Sequence, residues 1–272
     1  MADKVTEELS RQALEGHPYA SKWLGFMGGK VDRSATKRIT MVIVYSAKMY
    51  SALEYVAEWY REQVRKKGTT PFEKEAYKEC NYLAALIWAA VESTVEGARV
   101  GMDWLRQVAD ICTNSRIPVR WTSPSGFEVV QASSHTTASL IRTRCGANVV
   151  RRTTIRDATD RLHAERQRTG ICPNFIHSID AAAVMLTVDR CRAVGINSLA
   201  MVHDSYGTTA AQLATMEREL RTVFATMFQE NLLENFRTEV QSYLPQGVHL
   251  PDVPELGTLD PMAVIDSPYF FG

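Results

Sequence analysis

Apolar residues recur at helical spacing through most of the first 113 positions of this chain, and that periodicity limits what it can fold into more than any other feature. The interruptions fall where helices end. Asp3 to Leu14 forms an amphipathic pattern closed by Gly16. Ser21 to Met27 forms a short one ended by Gly28-Gly29, residues that accept the left-handed backbone of a helix terminus. Asp32 is placed to cap a further helix running from Arg33 into the region of Lys66, and Pro71 precedes a long helical stretch from about Phe72 to Thr113.

The middle of the chain changes period. Val119-Arg-Trp-Thr, a Ser123-Pro-Ser-Gly126 turn and Phe127-Glu-Val-Val-Gln131 predict a hairpin. A second is predicted from Ser139 to Thr154, with Cys145-Gly146-Ala-Asn148 at its tip. Helix is expected again over Ile155 to Arg168, and once more after a Gly170-Ile-Cys-Pro173 break. Asn197 to Thr209 reads as strand, turn, strand, with Leu199 to Val202 suited to a buried strand, and Ala210 to Tyr243 as helix. The fold class expected is α+β, mostly α.

At 272 residues and 45% hydrophobic, the chain can build one large or two small cores. Its 31 basic and 31 acidic residues cancel, but eight arginines lie between Arg142 and Arg168 against three acids, a local basic patch within a neutral total. Five scattered cysteines with no C-x-x-C pair suggest neither a disulfide framework nor a zinc site. No apolar run approaches a membrane span and the start lacks a signal-peptide core, so a soluble protein without a membrane partner is expected.

Two short segments carry the chemistry. In Arg33-Ser-Ala-Thr-Lys37-Arg38, the first and fifth residues are one helical turn apart, roughly 6 Å along the axis, so both cations project from one side near a helix N-terminus. That suits a triphosphate, and it equally describes a solvated basic helix face. Tyr45 lies about 12 Å beyond Lys37, within reach of the sugar and base of the same nucleotide. In Met201-Val-His203-Asp204-Ser-Tyr-Gly207, a short apolar run delivers Asp204 to a strand-turn junction. This is how a Mg²⁺ ligand is held, although Asp and Gly are also ordinary turn residues.

Taken together, these segments resemble the fingers helix and the metal-binding hairpin of the single-subunit RNA polymerases of phages and mitochondria. The resemblance extends through Lys22-Trp23-Leu24-Gly25, Lys48, Tyr50 and Pro173-Asn-Phe-Ile-His177-Ser-Ile-Asp180, and weakens over Val119 to Arg168. It implies that Arg33 binds the β- and γ-phosphates, with Arg38 beside it in the nucleotide site. Lys37 would bind the α-phosphate side and protonate pyrophosphate. Tyr45 would select ribose, and Tyr50 would pack by the incoming base. His177 would read the nascent pair, His203 would contact the RNA near its 3′ end, and Asp204 would hold metal. Met41 and Ser205 stand where related DNA polymerases carry an aromatic residue and a glutamate, which favours RNA polymerase. Ser46 departs from the family's usual glycine.

By the same resemblance, residues 1–30 are a helical lead-in after an absent first palm motif, and 31–118 are fingers helices. Residues 119–170 hold hairpins that include a promoter-reading loop with Arg142, Arg144, Arg151 and Arg152 facing DNA; a merely solvated hairpin is the alternative. Residues 171–272 hold the palm catalytic hairpin, C-terminal helices and a terminal foot, Tyr269-Phe-Phe-Gly272, implying a genuine C-terminus. The chemistry implied is two-metal phosphoryl transfer with two Mg²⁺ ions, NTPs, template and promoter DNA, and nascent RNA. Only one of the two expected aspartates is present, so the resemblance implies a split polymerase. Its complementary N-terminal subunit would carry the first aspartate, as though this chain were cut just after that strand. A non-enzymatic DNA-binding relic and a fragment of an intact polymerase are the alternatives. A phage-encoded protein in the cytoplasm of an infected bacterium, or associated with the virion, is expected ahead of a mitochondrial matrix enzyme.

Overall fold

A computed structural model describes residues 1–43, 49–72, 76–145, 149–202 and 204–270. Tyr45, Ser46, Lys48 and His203 lie outside the described residues. The chain divides into two compact units, Met1–Asp103 and Trp104–Gly272. The fold is α+β and mostly α, as the periodicity predicts.

The first unit contains α1 (Ala2–Leu14), α2 (Ala20–Met27), α3 (Arg33–Ile43), α4 (Met49–Lys67), α5 (Tyr77–Glu92) and the start of α6 (Glu96–Asn114). Gly28, at φ +73°, ends α2, and the Gly29 amide donates to the Leu24 carbonyl at 2.8 Å to close the turn. Asp32 Oδ1 accepts from the Ser34 amide at 2.7 Å, the capping role its position predicts. The expected stretch from Phe72 to Thr113 is instead two helices. The Ser93 and Thr94 hydroxyls both donate to the Ala90 carbonyl, at 3.0 and 2.8 Å, diverting a helix acceptor where the chain turns.

Trp23 is fully buried at the centre of this unit. Its ring sits 4.7 Å from Phe72 and 5.4 Å from Tyr60 by centroid, and Nε1 donates to the Glu79 carbonyl at 3.0 Å. Val5, Leu9, Ile39, Val56, Leu83 and Ile87 complete a core to which α1 to α5 all contribute. Burial pushes the Cys80 thiol up to about 12, so it stays protonated and serves as packing.

The second unit contains the end of α6, then β1 (Val119–Thr122), β2 (Glu128–Gln131), β3 (Ser134–Cys145), β4 (Val149–Leu162), α7 (Ala164–Ala193), β5 (Leu199–Val202), β6 (Ser205–Thr208), α8 (Leu213–Gln229) and α9 (Leu232–Tyr243). Each sheet is a two-stranded antiparallel hairpin. Gly126, at φ +81°, makes the β1–β2 turn, and Phe236 sits among Trp104, Trp121 and Phe175 with centroids 5.1–5.9 Å away.

Three expectations are corrected here. The helix over Ile155 to Arg168 gives way to strand as far as Leu162, because Ile155 pairs with Ser139 and Ala158 with Thr136, and the β-branched residues from Thr153 to Ile155 fit that ladder. A two-residue bulge in β4 follows, and the His163 ring then caps α7 by accepting from the Arg166 amide. The break at Pro173 does not occur. Helix α7 runs through it, and burial of Ile171, Cys172, Phe175 and Ile179 offsets the one hydrogen bond that proline forfeits. Finally, α7 is long and apolar enough by length and composition to cross a membrane, where no such stretch is expected from unbroken apolar runs; nine of its thirty residues, Ile171, Cys172 and Phe175 among them, are buried in this unit.

Buried amides bind the β1–β2 hairpin to α7. Gln131 Nε2 donates to the Gln167 carbonyl at 2.6 Å and Gln167 Nε2 to the Gln131 carbonyl at 2.9 Å, while Gln131 Oε1 accepts from Asn174 at 2.9 Å. Each partner satisfies a group that would be costly to bury alone.

Candidate nucleotide, metal and nucleic-acid sites

Helix α3 buries Ala35, Thr36 and Ile39, which fixes the opposite side outward, and Trp59 Nε1 on α4 donates to Ser34 Oγ at 2.8 Å to set its rotation. Arg33 and Lys37 are exposed and together line a concavity of about 520 Å³ with Asp3, Lys30, Thr36 and Thr40. Among the described residues neither cation has a carboxylate partner. Arg38 is placed elsewhere: it pairs with Glu58 and stacks over the Tyr55 ring at 4.6 Å, so it ties α3 to α4 and does not line the concavity. Tyr50 lies in the first turn of α4 and is exposed. Tyr45, between the two helices, lies outside the described residues.

In the second unit, β5 and β6 pair Val202 with Ser205 and Met201 with Tyr206, which leaves Asp204 exposed in the turn. His203 beside it lies outside the described residues. The stem is less buried than its apolar sequence predicts. Leu199 and Met201 are half-buried, and Ala200 and Val202 are exposed. Leu199 and Tyr206 anchor it on a small core of Cys191, Ile196 and Met216. Gly207 faces Ala200, where an added Cβ would approach the Ala200 carbonyl to 3.3 Å, so a side chain there would crowd the pairing.

Charge at this hairpin is concentrated. Burial first, and then the Asp204 charge, raise the Asp180 carboxyl above its ordinary range, with His177 opposing. Burial, Asp180 and Asp204 likewise raise the Tyr206 phenol. Asp180, Tyr206 and His177 are therefore electrostatic neighbours of the hairpin, and the sequence reading gave the first two no role. The signal for Asp180 was its position three residues after His177 on one helix face.

The β3–β4 register sorts the arginines by face. Arg142 pairs with Arg152, Arg144 with Val150 and Ala138 with Arg156, all of one parity, whereas Thr143 pairs with Arg151 on the other face. Arg142, Arg144, Arg152 and Arg156 thus form one exposed basic face, and Arg151 stands apart from them. Arg156 was missed because strand was expected to end at Thr154.

A family model described as DNA-dependent RNA polymerase matches residues 1–250. Two tobacco (Nicotiana tabacum) proteins, DNA-directed RNA polymerase 2B, chloroplastic/mitochondrial, and DNA-directed RNA polymerase 2A, are each 34% identical over 246 residues, 89% of this chain. The chain spans 23% of the first and 70% of the second. DNA-directed RNA polymerase 2, chloroplastic/mitochondrial, of Arabidopsis thaliana is 31% identical over 242 residues and is covered to 23% of its length. Polymerase 2B of tobacco and polymerase 2 of Arabidopsis thaliana carry organellar names, which overturns the expectation of a phage protein in an infected bacterial cytoplasm. With the family model matched over all but its last 22 positions, this chain belongs to the DNA-dependent RNA polymerase family.

Proposed function

We propose that these residues are the nucleotide-binding and C-terminal metal-binding portion of a DNA-directed RNA polymerase of the single-subunit type, acting on NTPs, a DNA template and nascent RNA. The observation that carries the reading is the concavity on α3, where two exposed cations one turn apart lack any carboxylate partner among the described residues. Such a site attracts a polyanion. Arg33 holds the outer phosphates, and Lys37 the α-phosphate side, where its ammonium can pass a proton to departing pyrophosphate. Tyr45 and Tyr50 take the sugar and base, and His177 and His203 the nascent strand.

Mg²⁺ fits the hairpin in donor chemistry: Asp204 is an exposed hard oxygen ligand, with Asp180 close enough to feel its charge. Among the described residues no group of three metal-ligating side chains gathers. The resemblance to the polymerases asks for a second carboxylate beside Asp204, and we propose that another segment of the polymerase supplies it, in the same polypeptide or in a complementary chain. When bound, the two ions would neutralise charge on the reacting phosphoryl oxygens. The relatives' names support a chloroplast or a mitochondrion as the compartment.

Nucleotide binding tests the reading. Replacing Arg33 and Lys37 together by alanine is expected to raise the Kd for ATP and GTP at least about tenfold, since each change deletes a charge-assisted contact. Both side chains are exposed, so the urea midpoint should hold. An unchanged Kd would overturn the reading.

The arginine-rich hairpin is proposed to face double-stranded DNA. Arg152→Ala is expected to weaken duplex binding and to reduce the slope of log K against log salt by about 1, whereas Arg151→Ala, on the other face, should change either little. A larger effect of Arg151 would contradict the assignment of faces.

A further inference from the structure

Lys30 lines the concavity that holds Arg33 and Lys37, yet the sequence reading gave it no role. Its backbone is fixed. It follows the Gly28-Gly29 turn and precedes Val31, which is buried and whose amide donates to Thr6 Oγ1 on α1 at 3.0 Å. Its side chain is 70% exposed, and Nζ lies 2.9 Å from Asp3 Oδ1, a carboxylate that is 75% exposed and lines the same concavity. Among the described residues, of the three side-chain cations that line this space Lys30 is the one paired with a carboxylate, and that carboxylate, Asp3, is the acidic side chain of the lining.

An ion pair exposed at both ends is a weak tie, because water screens it and holding two mobile side chains together costs entropy. A polyphosphate carries several negative charges and offers many acceptor oxygens, so once it lies on Arg33 and Lys37 it competes well with one carboxylate for a third ammonium. Asp3 in turn is a like charge to the incoming anion and opposes its binding while it stays unpaired.

Resting on the nucleotide reading of this site, we infer that Lys30 is a third polyphosphate-binding cation, held in reserve by Asp3 and released to the anion as it binds. The ligand chemistry is a chain of phosphates, whether the tail of an NTP or free pyrophosphate. In this exchange the lysine side chain swings from the Asp3 carboxylate to a phosphate oxygen within the concavity that Lys30, Arg33 and Lys37 all line.

The pair of variants at this latch separates the inference from a purely structural salt bridge. In the full chain, binding of inorganic tripolyphosphate and of pyrophosphate is measured by calorimetry for the wild type, Lys30→Gln, Lys30→Arg, Asp3→Asn and the Arg33→Ala/Lys37→Ala double variant. Lys30→Gln is expected to weaken tripolyphosphate about three- to tenfold, Lys30→Arg to preserve it, and Asp3→Asn to strengthen it about two- to fivefold. Loss extending to pyrophosphate assigns Lys30 to the leaving group as well; loss confined to tripolyphosphate assigns it to the terminal phosphate of an intact nucleotide. A structural bridge would instead move both single variants in the same direction, together with the urea midpoint. Unaltered binding in Lys30→Gln, with binding lost in the double variant, overturns the latch and leaves the nucleotide site standing. Unaltered binding in the double variant overturns both.

Discussion

Asp204→Asn is expected to lower RNA synthesis by at least about a thousandfold, in any assembly that supplies the first carboxylate, while leaving DNA binding within about twofold. A factor of a thousand is about 4 kcal/mol of transition-state stabilisation, the scale on which removal of one metal ligand acts. Asparagine keeps the shape of the side chain and removes its charge. Asp204 is exposed in a turn whose anchor is Leu199 and Tyr206 on Cys191, Ile196 and Met216, so the substitution spares the fold. Ordinary turnover by the asparagine variant, measured as template-dependent nucleotide incorporation, would remove Asp204 from the metal site.

The second large effect is on stability. Trp23→Ala should cost about 3–5 kcal/mol, the range for emptying a fully buried large aromatic site. The ring is enclosed by Phe26, Trp59, Tyr60 and Phe72, drawn from α2, α4 and the segment before α5, so no single neighbour can move to fill the space without uncovering another. The bond from Nε1 to the Glu79 carbonyl is lost as well. Urea unfolding of the first unit should shift to a lower midpoint with little change in slope. A loss under about 1 kcal/mol would show that the core does not depend on this ring.

Local signals with one mechanism were legible in the sequence. Gly28 and Asp32 bracket α2 and α3 because a left-handed cap and a side-chain cap are each demanded by the adjoining few residues. The parity of Arg33 and Lys37 follows from helical pitch alone. What escaped was decided by partners distant in sequence. Residues 155–162 read as helix until Ser134 to Ser139 are paired with them, and Pro173 reads as a break until the buried side of α7 is counted. Arg38 looked like a third site cation because nothing in its own segment reveals Glu58 and Tyr55, twenty and seventeen residues away. Lys30 and Asp3 escaped for the same reason, being 27 positions apart and joined only when α1 lies beside the start of α3.

The most direct measurement is Mg²⁺-dependent extension of an RNA primer on a DNA template, by the 272-residue chain alone and joined or mixed with the polymerase segment that carries the first carboxylate. The expected result is ribonucleotide incorporation that follows the template only when that segment is present, and none from the chain alone. Template-directed synthesis by the chain alone, or none from an assembly holding both carboxylates, would contradict the assignment of Asp204 as one half of a shared metal site.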